Sequence, residues 1–310
     1  MASTVEQNKA HFKLKELGCT STILSLLAPP GPVSLSGKTQ LADGNGSNVA
    51  AQYDTKFEKS LQQLTEAIQS RLDFIGVDWA DDDDDDDYGL DDDDEHDDKD
   101  GSDEKRAEED TLTPNSARQV RLLDYACGTG MISRALGPYT TQCIGIDISE
   151  NMVGAYNARA ENQGLTKEDM FAVVGNLAAP DDPEPAALSG PEFFNFDLAA
   201  VGGGFHHFDD PGFTAARLVE RLKPGGVLFI WDFLTHEQDH DHATHGVIHH
   251  GFSQEQVRHI FEEAGAGENF ALDDLGSGVV FPHGHGHDGQ PLKRRAFVAR
   301  GEKKKKNENA

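Results

Sequence analysis

The sequence predicts an α/β fold in which a mostly parallel, doubly wound sheet of seven strands carries helices on both faces and ends in an antiparallel strand. Short apolar runs alternate with amphipathic segments between residues 120 and 299, which is typical of parallel strands joined by crossover helices. A glycine turn, Cys127-Gly128-Thr129-Gly130, follows the first apolar run and opens a helix. In Rossmann-like sheets of this kind, ligands bind at the carboxyl ends of the strands.

The predicted strands are short apolar runs, most of them bounded by glycine, proline or an acidic residue. They span residues 120–124, 143–147, 171–174, 196–201, 227–233, 270–272 and 296–299. The predicted helices rest on apolar residues spaced three and four apart, with Ser149 and Ser253 as N-caps. They span residues 5–17, 48–75, 131–136, 149–162, 213–222 and 253–264.

Composition divides the chain into five regions. Residues 81–110 hold 20 acidic and three basic side chains, so charge repulsion and the scarcity of apolar surface predict disorder there. The regions are a largely irregular N-terminal segment, 1–46; a cap helix, 47–78; an acidic disordered insert, 79–117; the main domain, 118–300; and a basic tail, 301–310.

Charge and cysteine usage limit the classes of function. A net charge of −28 disfavours a nucleic-acid substrate, because an acidic surface repels phosphates. Three cysteines without C-x-x-C spacing argue against a disulfide framework and favour a reducing compartment. No apolar run approaches the ~20 residues that cross a bilayer. We therefore expect a soluble cytoplasmic protein, and the basic run 303–306 leaves a nuclear location open.

The first two predicted strands each end in an acid, Asp124 and Asp147. Asp147 lies 19 residues beyond Gly128, about where a ribose-binding carboxylate belongs in a nucleotide site. Glycines in the turn allow a ligand to approach the backbone, and the N-terminus of the following helix favours an anionic group. The sequence therefore predicts a site for a ligand that contains ribose.

Four segments in order resemble the motifs of the class I S-adenosylmethionine (SAM)-dependent methyltransferases, in particular the broad group that includes quinone-ring and other small-molecule methyltransferases. They are LLDYACGTG (122–130), IGIDIS (144–149), FDLAAVGGGFHHFDDP (196–211) and RLKPGGVLFIWDF (221–233). In that family a motif like NKAHFxxxAAxYD is often uninterrupted. Here His11-Phe12 and the Ala50–Asp54 run are nearly forty residues apart, which indicates an insertion.

The resemblance implies SAM as cofactor and a set of residues that hold it. Asp124 would lie by its amino end, Asp147 would accept both ribose hydroxyls, and Ile148 would face adenine. Asn176 stands where the family often has an acid that accepts from the adenine amino group, and its side-chain oxygen would accept that hydrogen bond here. The full set is Tyr53, Asp124, Ala126, Gly128, Gly130, Asp147, Ile148, Asn176, Leu177 and Val201. Asp124 could instead cap the turn and Ile148 could belong to the core. The start of the cap helix, near Tyr53, could cover the pocket.

Histidine is the usual group that removes a proton from an oxygen or nitrogen acceptor. Four histidines follow the fourth and fifth strands and are the candidate catalytic residues, unless they only shape the pocket: His206, His207, His249 and His250. Ten of the 14 histidines lie between residues 236 and 287. The Gly and Asp residues among them predict flexible loops, so we expect no physiological metal site.

These features predict a SAM-dependent methyltransferase that acts on a small or medium-sized acceptor. The run Val201-Gly202-Gly203-Gly204 replaces the Asn/Asp-Pro-Pro-aromatic signature of base N-methylation. Two alternatives stay open. One is a catalytically silent SAM-fold protein that binds a protein partner through its acidic insert. The other is a dinucleotide-dependent oxidoreductase, although Ser133 replaces the third glycine of the G-x-G-x-x-G/A motif.

Overall fold

The computed structural model describes five stretches of the chain: residues 46–80, 118–236, 248–276, 280–281 and 292–305. Several sequence predictions concern residues outside them. These are the helix at 5–17, the N-terminal insertion, the acidic residues 81–117, the end of the basic tail and six of the ten histidines between residues 236 and 287.

Seven strands form one mixed sheet in the order β3-β2-β1-β4-β5-β9-β6. Neighbours among β1 to β5 pair in parallel, whereas β9 runs antiparallel to both β5 and β6, which confirms the predicted antiparallel last strand. The strands of this sheet are β1 Arg121–Tyr125, β2 Gln142–Asp147, β3 Met170–Val174, β4 Phe196–Gly202, β5 Leu222–Phe233, β6 Glu268–Gly276 and β9 Ala296–Glu302. A separate two-stranded ribbon pairs β7 (Val280–Phe281) with β8 (Leu292–Lys293).

Helices cover both faces of the sheet. They are α1 Gly46–Gln69, α2 Leu72–Ile75, α3 Met131–Leu136, α4 Glu150–Asn162, α5 Pro211–Arg221 and α6 Gln254–Glu263. Buried side chains of α1, α3 and α4 share one core layer with alternate residues of the strands. Those of α5 and α6 share the other. The doubly wound α/β prediction is therefore confirmed.

Local chemistry explains where the helices begin. The Ser149 hydroxyl accepts a hydrogen bond from the amide of Met152, and Ser253 forms a reciprocal capping box with Gln256. Helix α5 begins at Pro211, two residues before the predicted start, because the Asp210 carboxylate caps it and a proline needs no donor in the first turn.

Several other predicted boundaries differ from the structure. The long cap helix ends at Gln69 and a second short helix follows it. Strand β5 begins at Leu222, so the Pro-Gly-Gly turn lies inside the strand. Trp79 and Ala80, which composition assigned to the acidic insert, instead pack on the folded domain: Ala80 is buried, and the Trp79 ring meets the Tyr139 ring edge to face at 6.1 Å.

The order of the strands determines which part of the sheet edge is suited to bind a ligand. Connections from β1 lead to β2 on one side, and the chain then returns to β4 on the other side of β1, which creates a switch point between β1 and β4. The carboxyl ends of β1, β2, β4 and β5 therefore surround a single crevice.

Candidate active site

A cavity of about 770 Å³ opens at the carboxyl ends of these strands. Its wall combines backbone from the glycine turn, a few polar side chains and several aromatic rings. The lining residues are Phe57, Ser60, Leu61, Leu64, Tyr125, Ala126, Cys127, Gly128, Thr129, Met131, Asp147, Ile148, Ser149, Met152, Gly175, Asn176, Ala178, Gly202, Gly203, Gly204, His206, His207, Phe208, Asp209, Trp231, Phe233 and Arg294.

The turn after β1 has three residues in the left-handed region. Ala126 has a φ of 53°, Gly128 of 52° and Gly130 of 88°. A Cβ at Gly128 would meet nothing within 4 Å, so the backbone there borders open space. A Cβ at Gly130 would come within 2.9 Å of the Tyr156 ring. Gly130 does not line the cavity; it allows α4 to pack closely against the turn.

Asp147 ends β2 at the rim of the cavity, with only 9% of its surface exposed. Its Oδ2 accepts a hydrogen bond of 2.8 Å from the amide of Gly128, and its Oδ1 accepts one of 2.8 Å from the amide of Ser149. Each carboxylate oxygen can accept more than one hydrogen bond, so both retain capacity for a ligand. The two amides therefore fix the orientation of the carboxylate.

Ile148 projects from the same rim and is 73% exposed, more than the other exposed large apolar side chains in the described residues, Val174 and Ile248. It lines the cavity and is absent from both core layers. Of the two interpretations of this residue, core or wall, the structure supports the wall.

Asp124 lies behind the glycine turn and does not line the cavity. Its Oδ2 accepts hydrogen bonds from the Ser133 amide at 3.1 Å and the Ser133 hydroxyl at 2.8 Å. The Tyr156 hydroxyl in turn donates to Ser133 Oγ at 2.7 Å. Burial raises the pKa of the Asp124 carboxyl from 3.8 to about 7, against the Ser133 hydrogen bonds, which lower it. The alternative interpretation, an acid that secures the turn, describes its contacts better.

Asn176 lines the cavity, but its carbonyl oxygen is already engaged. Oδ1 accepts from the Tyr125 hydroxyl at 3.1 Å and from the Ala178 amide at 2.8 Å. The expected acceptance of a hydrogen bond from adenine would therefore compete with two internal donors. The amide nitrogen of Asn176 is its other polar atom and can only donate.

Leu177 and Val201, also predicted to contact the cofactor, do not line the cavity. Both are buried in the core layer beneath α5 and α6. Successive residues of a strand point to opposite faces, so Val201 turns away and the next residue, Gly202, reaches the cavity instead.

His206 lies in a one-turn 3₁₀ helix, Phe205–His207, after β4. Its Nδ1 is 2.8 Å from Oδ1 of Asp232, a fully buried acid near the end of β5, and its backbone amide donates to Oδ2 at 3.1 Å. His207 also lines the cavity, and its ring lies 4.1 Å from the ring of His206. Both histidines after β4 therefore reach the cavity, as expected.

The histidines after β5 do not reach it. The Nε2 of His249 pairs with the carbonyl oxygen of Phe208 at 3.1 Å, and neither His249 nor His250 lines the cavity. The amide of His249 donates to the His206 carbonyl at 3.0 Å, and the carbonyl of His250 accepts from the His236 amide. The prediction of a catalytic role for these two residues is corrected: their contacts hold the loop against the site.

Helix α1 supplies one wall of the cavity through Phe57, Ser60, Leu61 and Leu64. Tyr53 lies on the same helix, but its side chain falls outside the described part of the chain. The middle turns of the helix border the cavity, and a covering role for its start near Tyr53 stays a prediction.

Sequence reasoning missed Asp232, Trp231, Phe233 and Arg294. Asp232 had one usable signal, since it is an acid near the carboxyl end of a buried strand, like Asp124 and Asp147. Arg294 precedes β9, far along the chain, and carries no local signal.

The structure also bears on whether the site could use a cysteine nucleophile or a metal ion. Cys127 lines the cavity, but burial, with the nearby charges of Asp124 and Asp147, raises the pKa of its thiol well above the ordinary value. The thiol is therefore neutral and a poor nucleophile. In the described ranges, no three His, Cys, Asp or Glu side chains form a group that could hold a metal ion.

The fold and the cavity define an α/β domain with a candidate ligand site at the carboxyl ends of its strands. Comparison with known proteins indicates which family this domain resembles. Residues 123–228 match the family model described as a methyltransferase domain. An uncharacterized methyltransferase of Schizosaccharomyces pombe is 36% identical over 153 residues, which cover 46% of this chain and 52% of that protein. Residues 123–228 therefore form a methyltransferase domain, and these matches support the class I SAM-dependent methyltransferase family that the sequence motifs resemble.

Other relatives are more distant. A ubiquinone biosynthesis O-methyltransferase of Methylococcus capsulatus is 28% identical over 109 residues, which cover 35% of this chain and 41% of that protein. The crystal structure of the YcgJ protein from Bacillus subtilis aligns with a TM-score of 0.45 at 18% identity, over 61% of this chain and 93% of that one. The chain thus spans about half the length, or less, of the curated relatives cited here.

None of the helices within the described ranges has the length and apolar character that crossing a membrane requires.

Proposed function

We propose that this chain transfers a methyl group from SAM to a small or medium-sized acceptor by in-line displacement. The observation that carries the proposal is the Asp147 carboxylate. It stands at the tip of β2 with both oxygens oriented by backbone amides, beside the exposed Ile148 and on the rim of a large cavity. Two oxygens facing a vicinal diol suit ribose, and an exposed aliphatic side chain suits the face of adenine.

The residues present fit the cofactor. Gly128 borders open space, so the methionine portion can lie against the backbone of the turn without meeting a side chain. The amide nitrogen of Asn176 would donate to a ring nitrogen of adenine, since its oxygen is engaged internally. When bound, SAM supplies an electrophilic methyl group on a sulfonium.

The acceptor would occupy the part of the cavity beyond the glycine turn. Trp231, Phe233 and Phe57 give this part an aromatic wall, and His206 and His207 give it polar atoms. The volume of about 770 Å³ falls within the roughly 300–1,000 Å³ common for small-molecule sites. Burial of both reactants orients them and excludes water, which lowers the barrier to displacement. His206 would remove a proton from an acceptor that needs to lose one.

The O-methyltransferase relative favours an oxygen acceptor, although it is matched over less than half its length. Neither alternative function has comparable support. The Ser133 hydroxyl, at the position of the third glycine of a dinucleotide motif, is committed to Asp124 and Tyr156. The proposed protein partner of a silent form concerns the acidic residues 81–117, which lie outside the described residues.

Isothermal titration calorimetry of the full chain with SAM, S-adenosylhomocysteine and NAD tests the cofactor. We expect SAM and S-adenosylhomocysteine to bind and NAD to give no heat. Asp147→Ala should weaken binding at least tenfold, because the ribose loses its charged acceptor. Asp181→Ala, an exposed acid in the loop after β3, is the matched control and should bind as the wild type.

A second step tests transfer. The chain is incubated with SAM carrying a tritiated methyl group and a small-molecule extract, and the products are separated. Label in a small product, absent with Asp147→Ala, supports the enzyme. Binding of SAM without any transfer supports the silent form, and binding of NAD but not SAM supports an oxidoreductase.

A further inference from the structure

We propose that Asp232 is a positioning residue that holds His206 in the tautomer with its proton on Nδ1, so that Nε2 takes the proton of a hydroxyl acceptor. The inference deepens the proposed function and rests on it for the identity of the reaction. It assigns the acceptor class, a hydroxyl oxygen, which family membership leaves open.

The contacts of Asp232 determine what it can do. Three N–H groups converge on its two oxygens: Nδ1 of His206 at 2.8 Å and the Phe233 amide at 2.7 Å on Oδ1, and the His206 amide at 3.1 Å on Oδ2. All three groups are donors, and a carboxylate meets them with acceptors alone, so the arrangement suits the carboxylate. A carboxylate only accepts, and Nδ1 of His206 must therefore carry the proton.

The tautomer of a neutral imidazole follows from that bond. With the proton on Nδ1, Nε2 holds a lone pair and acts as an acceptor. His206 is a cavity residue whose Nδ1 side is occupied by buried Asp232, so Nε2 is the ring nitrogen through which it meets a ligand. Once Nε2 gains a proton, the carboxylate of Asp232 stabilises the imidazolium.

His206 is also held from other sides. Its carbonyl oxygen accepts from the amides of Ile248 at 3.1 Å and His249 at 3.0 Å. Its ring packs on Phe233, with centroids 5.3 Å apart, and on His207. Among the described residues, the titratable groups in contact with the ring include Asp232 from β5 and His207 from the same turn. Arg294 lies on the Phe233 ring, with its guanidinium 5.4 Å from the centroid of that ring. A base held this firmly can be aimed at one acceptor atom.

The reaction balances without another reactant. The acceptor oxygen forms a bond to the methyl carbon as the bond from carbon to sulfur breaks, and the electron pair of that bond goes to sulfur. The hydroxyl proton moves to Nε2 of His206 and later leaves to solvent. A neutral amine can attack through its lone pair before it loses a proton, so a fixed base matters most for a hydroxyl.

The tautomer can be read directly by ring ¹⁵N NMR of the full chain labelled at histidine, with S-adenosylhomocysteine added. His206→Gln identifies the signals of His206. We expect the wild type to show His206 protonated at Nδ1 and not at Nε2. Asp232→Asn should shift it to the Nε2-protonated form or to a mixture, because an amide can donate to Nδ1. Asp197→Asn, which removes another buried acid at the opposite edge of the sheet, should leave His206 unchanged.

A wild-type His206 protonated at Nε2 overturns the proposal, and so does an unchanged tautomer in Asp232→Asn. Should that variant not fold, the wild-type spectrum still decides. In the labelled-methyl assay, a methyl ether supports the proposal and an N-methyl product overturns the assignment of a hydroxyl. His206→Gln should lower the rate of ether formation at least about 100-fold. Failure of the wild type to bind S-adenosylhomocysteine would sink the proposed function alone, since the tautomer is measured separately.

Discussion

Asp124 shows how one buried side chain couples the turn at the candidate active site to pH. Its folded pKa of about 7 exceeds the ordinary value of 3.8, so between these values the folded chain holds a proton that the unfolded chain has released. The contribution of Asp124 to the free energy of unfolding is therefore greatest at about pH 4 and below. It falls as the pH rises to 7, by about 1.4 kcal/mol per pH unit at most. Above pH 7 the contribution is constant.

Asp124→Asn should remove that slope, because an amide does not ionise and can still accept from Ser133. We expect urea unfolding to show the variant to be more stable than the wild type at pH 8 and close to it at pH 4. Asp181→Asn, an exposed acid, controls for the change in net charge and should follow the wild-type curve. Parallel curves for Asp124→Asn and the wild type would contradict the raised pKa.

Ala126 occupies a conformation that suits glycine better, with a φ of 53°. An alanine in the left-handed region destabilises the folded chain by about 1–2 kcal/mol. Glycine avoids this strain, but its greater conformational freedom stabilises the unfolded chain by roughly 0.5–1 kcal/mol. Ala126→Gly should therefore raise the free energy of unfolding slightly, by about 0.5 kcal/mol. Ala187→Gly, in an exposed one-turn 3₁₀ helix, has no such strain and should lower it. A loss of stability in both variants would refute the strain.

Local sequence predicted some site residues because their position depends on the tip of a strand alone. Asp147 and Ile148 come directly after an apolar run, and both reach the cavity. Asp232 also lies near the end of a strand, but its role in the site depends on its contact with His206, which follows another strand and is 26 residues away in the sequence. The choice between Val201 and Gly202 depends on a one-residue alternation that the sequence pattern of a fully buried strand does not reveal.

At the scale of elements, helix α1 contributes to both the cavity and the core, about three turns apart. Phe57, where the helix backbone departs from helical geometry, lines the cavity, whereas Ile68 is fully buried in the core layer and does not line it. The apolar stripe at three- and four-residue spacing predicted the packing of this helix. It could not separate cavity wall from core, because both present the same spacing.

The two contributions can be separated by truncation. Ile68→Ala should lower the free energy of unfolding by about 2–5 kcal/mol, because it leaves a cavity in the core, with little change in affinity for S-adenosylhomocysteine. Phe57→Ala should cost less stability and weaken ligand binding or methyl transfer. Thermal unfolding and calorimetry on both variants check this. Equal effects of the two variants on binding would argue against a wall at Phe57.

At the scale of the whole molecule, the residues that flank the acidic stretch on its two sides contact each other. Arg118 forms an ion pair with Asp78, and Ala80 and Val120 are buried in one small cluster with Val77 and Trp79 packed against it. Described residues on either side of the acidic stretch therefore join residues 78–80 to 118–120 directly. Composition predicted the acidic stretch but not the packing of Trp79 and Ala80, because that depends on Tyr139, about 60 residues away.

Replacing residues 81–117 with a six-residue Gly/Ser linker should leave the fold and the affinity for S-adenosylhomocysteine intact. Because a shorter loop costs less entropy to close, we expect a gain of roughly 1–2 kcal/mol in the free energy of unfolding. A Gly/Ser linker of the original length isolates the effect of charge from that of length. Lost binding in both would mean that the acidic residues take part in the site.

The ion pair between Asp78 and Arg118 also marks a place where another domain could be inserted into the chain. Val120 precedes β1, so this junction lies at the amino edge of the sheet, away from the edge that carries the cavity. A fluorescent domain whose two termini are adjacent could be inserted between Asp78 and Arg118. Its fluorescence would then report ligand binding, while the edge of the sheet that carries the cavity stays unobstructed.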